Sequence, residues 1–150
     1  MDDNGYAIRL RGVTKRFGKH TAVSGFDFEV PRGTICGLLG PNGSGKTTSI
    51  RMIMGILHPD EGSVSLFGAD PDITRREKVG YLPEERGLYK KMKVLEMLTF
   101  LAEIRGVKRS QGRKKASDWL DRLGLSAWAD KRADDLSKGM QQKVQFIGTV

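Results

Sequence analysis

Cysteine is nearly absent from this 150-residue sequence. Cys36 is the single one, so no disulfide can form within the chain. Long apolar runs are absent too, and no stretch approaches the roughly 18 residues of a membrane-spanning helix. The first residues, Met1-Asp2-Asp3-Asn4, are acidic and polar, which predicts that they do not form a signal peptide. These features favour a cytoplasmic protein in which Cys36 is a buried, reduced thiol.

Acidic residues are too few to balance the basic ones, and the net charge is +8. This excess fits three kinds of partner: a polyphosphate ligand, nucleic acid or an anionic membrane surface. It concentrates between Arg105 and Lys115, a run without any acid. Aromatic residues are absent from the run, which argues against a platform for single-stranded nucleic acid. The alternative interpretation of the run is a solvated helix face.

The length suits one domain with its own core. At its start, large apolar residues alternate with other side chains over residues 6–11 and again over 26–30, which predicts two strands. Residues 17–20 predict the turn between them. These two amphipathic strands suggest an antiparallel flap on a parallel sheet, because the next apolar run, residues 35–39, predicts a fully buried strand.

A glycine-rich stretch of the form G-x-x-x-x-G-K-T begins at Gly40, directly after that buried strand. Behind it, apolar residues recur at the spacing of one helix face: Ile50, Ile53, Met54 and Leu57. A strand, a glycine-rich loop and a helix in this order are typical of a phosphate-binding P-loop. The alternative is a glycine-rich turn before an ordinary helix, which is predicted to end at His58-Pro59.

The chemistry of polyphosphate binding explains the residue types in this stretch. Glycines at 40, 43 and 45 lack the Cβ atoms that would obstruct a tight curl, so backbone N–H groups can converge on a phosphate. The helix that follows adds the positive end of its dipole. In a P-loop, Lys46 reaches the β- and γ-phosphates and the Thr47 hydroxyl ligates Mg²⁺.

The rest of the chain changes from strand to helix patterns. Short strands are predicted at 63–66 and 79–82, and Ser137 is predicted to cap a last helix. Two apolar stripes in between have helical spacing and are interpreted as packing core: Val94, Met97, Leu98, Leu101 and Ile104, then Ala116, Trp119, Leu120 and Leu123.

Two further segments narrow the class of protein. They are Gly80-Tyr81-Leu82-Pro83-Glu84 and Leu136-Ser137-Lys138-Gly139-Met140-Gln141-Gln142-Lys143. Together with the P-loop and the N-terminal flap, they resemble the ATP-binding subunit of an ABC transporter, from about Ile8 to the last residue. Residues 80–89 and 136–143 are similar to bacterial subunits of ABC-2-type exporters, including sodium and multidrug exporters.

This resemblance implies an α/β fold: the RecA-like core of a P-loop NTPase, incomplete here, with an N-terminal antiparallel β subdomain and a helical subdomain. It divides the chain into a β subdomain and P-loop core at 1–83, a Q-loop at 84–91, a helical subdomain at 92–136 and a signature helix at 137–150.

The resemblance also implies site residues. Phe17 matches the aromatic position that stacks on adenine, although a loop side chain covering the core is the alternative. Lys46 has a catalytic role in addition to binding phosphate. The nucleotide-binding Walker A element comprises Gly40, Pro41, Asn42, Gly43, Ser44, Gly45, Lys46, Thr47 and Thr48.

Glu84 stands where the family usually has the Q-loop glutamine, which contacts Mg²⁺ and senses the membrane partner. A carboxylate oxygen suits Mg²⁺ but cannot donate a hydrogen bond as an amide does. The resemblance therefore implies metal and catalytic roles for Glu84, with a solvated acid as the alternative.

The family's signature motif, usually L-S-G-G-Q, is matched by Leu136, Ser137, Lys138, Gly139 and Met140. Ser137 and Gly139 are kept, whereas Lys138 and Met140 depart from the pattern. The resemblance implies that this segment contacts the γ-phosphate of ATP held by the opposite subunit. Without the resemblance, the segment would be a helix N-cap.

The family's Walker B strand, an apolar run ending in Asp-Glu, is absent, as are its D-loop and switch histidine. We therefore expect the sequence to be the N-terminal portion of a longer subunit. Hydrolysis needs those groups to hold Mg²⁺ and polarise water, so the 150 residues alone are expected to bind ATP weakly and to hydrolyse it negligibly.

The implied function is to couple ATP binding and hydrolysis to transport across a membrane. The implied partners are transmembrane permease subunits at the cytoplasmic face of the membrane, and a second copy or a related ATPase subunit. The net charge permits an alternative, a soluble ABC-type ATPase acting on nucleic acid or ribosomes, although direct nucleic-acid binding is not expected. A third possibility is a non-catalytic nucleotide-binding fragment.

Overall fold

The computed structural model of the protein describes residues 5–72, 74, 77–82, 87–89 and 91–150. The chain forms two compact units, one ending at Val79 and the other beginning at Gly80. The first unit contains strands β1 (Tyr6–Phe17), β2 (His20–Pro31) and β3 (Glu61–Leu66) and helix α1 (Lys46–Ile53). The second contains helices α2 (Val94–Ile104), α3 (Arg109–Arg122) and α4 (Lys138–Ile147), with 3₁₀ turns at Ser126–Trp128 and Ala133–Asp135.

The strands form one antiparallel sheet in the order β2-β1-β3. Phe17 pairs with His20 across the predicted turn, and Leu10 pairs with both neighbouring strands. Alternation places one set of side chains against α1, where they form the core of this unit: Leu10, Val13, Val23, Met52, Ile53, Val64 and Leu66. The predicted N-terminal strands and the strand at 63–66 are therefore confirmed.

Helix α1 is shorter than predicted, because Gly55 adopts a left-handed conformation (φ 60°) and ends it. The Gly55 N–H donates to the Met52 carbonyl and the Ile56 N–H donates to the Arg51 carbonyl, both at 2.9 Å. These two bonds satisfy the last carbonyls of the helix in a Schellman motif. The predicted end at His58-Pro59 was thus wrong, since a glycine stops the helix before the proline can.

The apolar run at 35–39 forms no strand within the described part of the chain, contrary to prediction. Ile35 and Leu39 are almost fully exposed and Cys36 is exposed as well, so the predicted buried thiol was also wrong. A buried strand needs hydrogen-bonded neighbours, and the described residues offer this run none. The same reason applies to residues 79–82, which also form no strand.

In the second unit, the predicted apolar stripes fall on α2 and α3, with Leu123 at the C-cap of α3. Their packing role is confirmed except at Ile104, which is exposed. Val94, Met97, Leu98, Ala116 and Leu120 are buried together with residues of α4. The Lys143 ammonium donates to the Leu123 carbonyl at 3.1 Å, which satisfies the C-terminal end of α3 from α4. The six basic residues of the 105–115 run are all exposed.

Candidate nucleotide site

The glycine-rich loop curls before α1. The Ser44 N–H donates to the Pro41 carbonyl at 3.2 Å and closes a turn. Gly43 and Gly45 have φ angles of 82° and 84°, in the left-handed region that other residues rarely adopt. Because left-handed residues alternate here with others, successive N–H groups can face one concave side, which is the geometry of an anion-binding nest.

Gly45 also fixes where the loop lies against the sheet. A Cβ atom at this position would be 2.5 Å from the Ala22 carbonyl oxygen and 2.8 Å from the Val23 side chain, both on β2. At the other end of the loop, a Cβ on Gly40 would be 2.6 Å from the Ser44 hydroxyl. Only glycine therefore fits at position 45 without displacing β2, whereas a side chain at position 40 would require the Ser44 hydroxyl to move.

Lys46 is the first residue of α1, and its side chain folds back over the loop. Its ammonium donates to the carbonyl oxygens of Gly40 and Pro41 at 2.8 and 2.7 Å. Neither acceptor carries a full charge, and no acidic side chain of the described residues forms an ion pair with Lys46. The loop therefore holds an uncompensated positive charge.

The start of α1 adds further donors beside this charge. Ser49 makes the first helical bond, from its N–H to the Gly45 carbonyl at 2.8 Å. The N–H groups of Lys46, Thr47 and Thr48 precede it, so they have no partner within the helix. With the ammonium, they form a donor set without acids, which fits the oxygens of a polyphosphate.

The Thr47 hydroxyl lies on the first turn of α1 and is exposed. The described residues contain no group of three His, Cys, Asp or Glu side chains that could hold a metal ion. A hydroxyl at this position fits an Mg²⁺ ion that takes most of its oxygen ligands from phosphates and water. The residues present therefore fit the predicted Mg²⁺ only together with a bound polyphosphate.

The loop borders an open cleft of about 460 Å³. Gly40, Pro41, Gly43, Ser44 and Lys46 line one side, and residues 21–24 of β2 line the other. This volume is within the range of small-molecule sites. Sequence reasoning missed the β2 residues, since only the tertiary approach of Gly45 to Ala22 brings them to the loop.

Phe17 is not among the residues that line the cleft. It lies at the end of β1, one register position from the pair between Arg16 and Thr21, and Thr21 does line the cleft. Its ring is half-exposed, with the Lys15 ammonium 5.8 Å from its centre. The structure thus brings Phe17 near the cleft but leaves its predicted contact with adenine a prediction.

The signature-like segment lies in the second unit, at the start of α4. The Ser137 hydroxyl accepts a hydrogen bond from the Met140 N–H at 3.4 Å, and Leu136 is buried beneath it. Gln141 donates to the Ala133 and Leu136 carbonyls at 3.0 Å each, which holds the preceding loop against the helix. Ser137, Lys138 and Gly139 are exposed. The predicted N-cap is confirmed.

Gly139 differs from the loop glycines in its surroundings. A Cβ atom there would meet no heavy atom within 4 Å, and its φ is not positive.

Glu84, the predicted Mg²⁺ and catalytic residue of the Q-loop, lies outside the described residues.

A family model described as ABC transporter matches residues 23–150. The chain belongs to the ABC transporter family. It is 47% identical over 143 residues to the uncharacterized ABC transporter ATP-binding protein YhaQ of Bacillus subtilis, covering 95% of this chain and 48% of YhaQ. It is 36% identical over 152 residues to the probable multidrug ABC transporter ATP-binding protein YbhF of Escherichia coli, covering 98% of this chain and 26% of YbhF.

A solved structure, titled as the ATP binding subunit of an ABC transporter, superposes with a TM-score of 0.80 at 27% identity. The match covers 95% of this chain and 61% of that one. The ABC family chain therefore has the predicted fold class, an incomplete P-loop NTPase core with an N-terminal antiparallel sheet and helices. It spans about half the length of YhaQ. None of its described helices is long and apolar enough to cross a membrane.

Proposed function

We propose that this chain is the nucleotide-binding portion of an ABC transporter ATP-binding subunit, which binds Mg²⁺-ATP and, in the full-length protein, hydrolyses it to drive transport. The observation that carries this proposal is the glycine curl of residues 40–45, with the unpaired charge of Lys46 above it. It supports a site for an anion with several oxygens, because nearly all of the available groups are donors.

In this proposal, the Lys46 ammonium gives up its hydrogen bonds to the two loop carbonyls and donates instead to oxygens of the β- and γ-phosphates. The exchange is favourable because a charge-assisted bond to phosphate is stronger than a bond to a neutral carbonyl. The N–H groups at the start of α1 bind the same phosphates. Phe17 supplies a ring for the base at the hairpin end of the cleft, next to Thr21.

The metal would be held by the Thr47 hydroxyl, with Glu84 as a second oxygen ligand. When bound, Mg²⁺ neutralises charge on the β- and γ-phosphates during phosphoryl transfer. The protein's own contribution is to fix the phosphate chain through the loop, so that the γ-phosphate is positioned for attack.

A second copy, or a related ATPase subunit, would approach the bound nucleotide through Ser137, Lys138 and Gly139. All three are exposed, and Ser137 and the first turn of α4 present a hydroxyl and helix N–H groups. Lys138 adds a cation that the usual motif lacks, which favours an anionic partner such as the γ-phosphate.

The membrane partner would be a pair of permease subunits, with this protein at the cytoplasmic face. The names of YhaQ and YbhF as ABC transporter ATP-binding proteins support this role, and that of YbhF supports a multidrug-type cargo. Co-purification of the full-length protein with a permease from membranes is the corresponding experiment, and recovery only in the soluble fraction would contradict it.

The central test is ATP binding by the full-length protein carrying Lys46→Ala. Losing one charged hydrogen-bonding group is expected to weaken binding about 10- to 100-fold. Lys19→Ala is the matched control, because Lys19 is an exposed lysine of the same unit that does not line the cleft. Equal affinities for the two variants, measured by calorimetry, would overturn the proposed site.

We also expect residues 1–150 alone to bind ATP without hydrolysing it, since they contain no apolar run ending in Asp-Glu. Phosphate release by this fragment and by the full-length protein is the relevant comparison. Turnover by the fragment at the full-length rate, abolished by Lys46→Ala, would contradict this expectation.

A further inference from the structure

A second pocket lies in the helical unit, remote in sequence from the P-loop. It is a partly open space of about 100 Å³ between α2, α3 and residues 147–150, the last residues of the sequence. Its walls are largely apolar and include Leu101, Trp119 and Ile147. An apolar cavity of roughly this size can hold a small hydrocarbon group.

The close packing of α2 and α3 forms one wall of the pocket. A Cβ on Gly112 would be 2.8 Å from the Ala102 Cβ, so the glycine lets the two helices approach. Gly112 also lies in the first turn of α3, which carries no acid. The acid that reaches this turn is Glu103 of α2, which pairs with Arg109 at 2.8 Å.

Two cations line the same pocket, Arg105 and Lys115. Among the described residues, neither side chain forms a salt bridge. Arg109 lies between them in sequence and is different, since it pairs with Glu103 at 2.8 Å. Lys108, Arg113 and Lys114 also form no salt bridge among the described residues, so Arg105 and Lys115 are distinguished by lining the apolar pocket.

We propose that this pocket binds an anionic amphiphile. Its short alkyl segment lies against Leu101, Trp119 and Ile147, and its phosphate or carboxylate is bound by Arg105 and Lys115. The apolar walls favour a hydrocarbon group, and the two cations among the lining residues favour a negative head. Neither a neutral hydrocarbon nor a simple inorganic anion would use both features.

The experiment titrates alkyl phosphates into the full-length protein and follows tryptophan fluorescence. The signal from the pocket is the part of the fluorescence change that is lost in the Trp119→Phe variant. Octyl phosphate is expected to saturate the signal. Affinity should rise about fourfold per methylene from butyl phosphate upward, until the pocket is full. Octanol should bind more weakly, and octyltrimethylammonium should give no saturable signal.

Lys115→Gln and Arg105→Gln should each weaken octyl phosphate binding roughly three- to tenfold. Lys114→Gln is the matched control, since Lys114 is the exposed neighbour that does not line the pocket. Ala102→Leu should block binding by filling the pocket while both cations remain, and its urea unfolding checks that the Ala102–Gly112 contact tolerates the larger side chain. Equal binding of octanol and octyl phosphate, or equal affinities for the Lys115 and Lys114 variants, would overturn the proposal.

Vesicles distinguish the two sources of such a ligand. Sedimentation with phosphatidylglycerol vesicles, competed by octyl phosphate, identifies a membrane lipid as the source. Octyl phosphate binding without vesicle binding identifies a soluble amphiphile, and both results support the site. Phosphatidylcholine vesicles control for charge. None of these measurements involves ATP, so they stand apart from the nucleotide proposal.

Discussion

The two glycine-containing motifs of this protein need glycine for different reasons. Gly45, in the loop before α1, has a left-handed backbone, and its α-carbon faces the Ala22 carbonyl so closely that a Cβ would overlap it. Gly139, in the first turn of α4, has neither constraint. Contacts within the first unit therefore require glycine at position 45, whereas no contact among the described residues of the second unit requires glycine at position 139.

This difference indicates how the two glycine-containing segments would act in the proposed function. The loop of the first unit is shaped by its own contacts, and it can be formed before any ligand arrives. The segment at Gly139 is an exposed helix start whose glycine would matter only to a molecule that approaches it closely. We infer that the first segment is a preformed site and that the second is one side of an interface.

Replacing Gly45 by alanine tests the internal requirement and should have the largest effect. The left-handed strain costs roughly 1–2 kcal/mol, and forcing a methyl group toward β2 adds about 1–3 kcal/mol. Urea unfolding measures the loss of stability, and calorimetry should show that ATP binding is lost. Gly43→Ala is the matched control, because Gly43 has the same strain but open space around it. Equal destabilisation by the two substitutions would contradict the proposed crowding.

Replacing Gly139 by alanine tests the external requirement. Because the site is open and helical, stability should be unchanged or raised by up to about 1 kcal/mol. ATP-dependent dimerisation, measured by sedimentation velocity of the full-length protein, should weaken about tenfold if a nucleotide is approached closely there. Ser117→Ala, an exposed position of α3, is the control. Undiminished dimerisation, or a clear loss of stability, would remove the contrast between the two glycines.

Ser137→Ala tests whether Ser137 contacts nucleotide, as proposed, in addition to capping α4. Losing the N-cap should destabilise the unit by about 0.5–1 kcal/mol, the low end for such caps, since its hydrogen bond is long at 3.4 Å. Ser137→Asn keeps a capping oxygen and should restore stability. If Ser137 also contacts nucleotide, ATP-dependent dimerisation should stay impaired in the asparagine variant. Full recovery of both would leave Ser137 a cap alone.

Local patterns in the sequence predicted the elements whose partners are close in the chain. The turn of the β1–β2 hairpin, the N-cap at Ser137 and the helical spacing of the stripes on α2 and α3 are each set by residues close together in the chain. The loop curl could be predicted as well, because glycine readily adopts the positive φ angles that such a curl needs.

One wrong prediction concerns burial, which depends on more distant structure, and the other concerns the end of α1, which depends on a local signal. The apolar run 35–39 has the composition of a buried strand, yet burial needs a neighbouring strand, which residue composition cannot supply. The end of α1 depended on which of two stop signals came first, and Gly55 precedes Pro59. The β2 side of the cleft could not be predicted, since it is created by the tertiary contact between Gly45 and Ala22.

The smallest expected effect is on the pH dependence of stability, and it tests whether acid destabilises the first unit selectively. Asp60 accepts hydrogen bonds from the Lys15 ammonium and the Arg16 N–H, and so joins the end of β1 to the start of β3. These bonds, chiefly that from Lys15, hold the pKa of Asp60 below its ordinary value.

Because the pKa of Asp60 is lower in the folded state, its carboxylate stabilises the fold fully at pH values above its unfolded-state pKa of about 4. That stability is lost as pH falls through the lower folded-state pKa. Asp60→Asn should therefore lower the melting temperature slightly at pH 7, and its difference from the wild type should shrink below about pH 4. Added salt should reduce the difference, because the Asp60 carboxylate is exposed. Asp118→Asn, an exposed acid of the helical unit, is the control, and an identical pH profile for both variants would contradict a role specific to the β1–β3 junction.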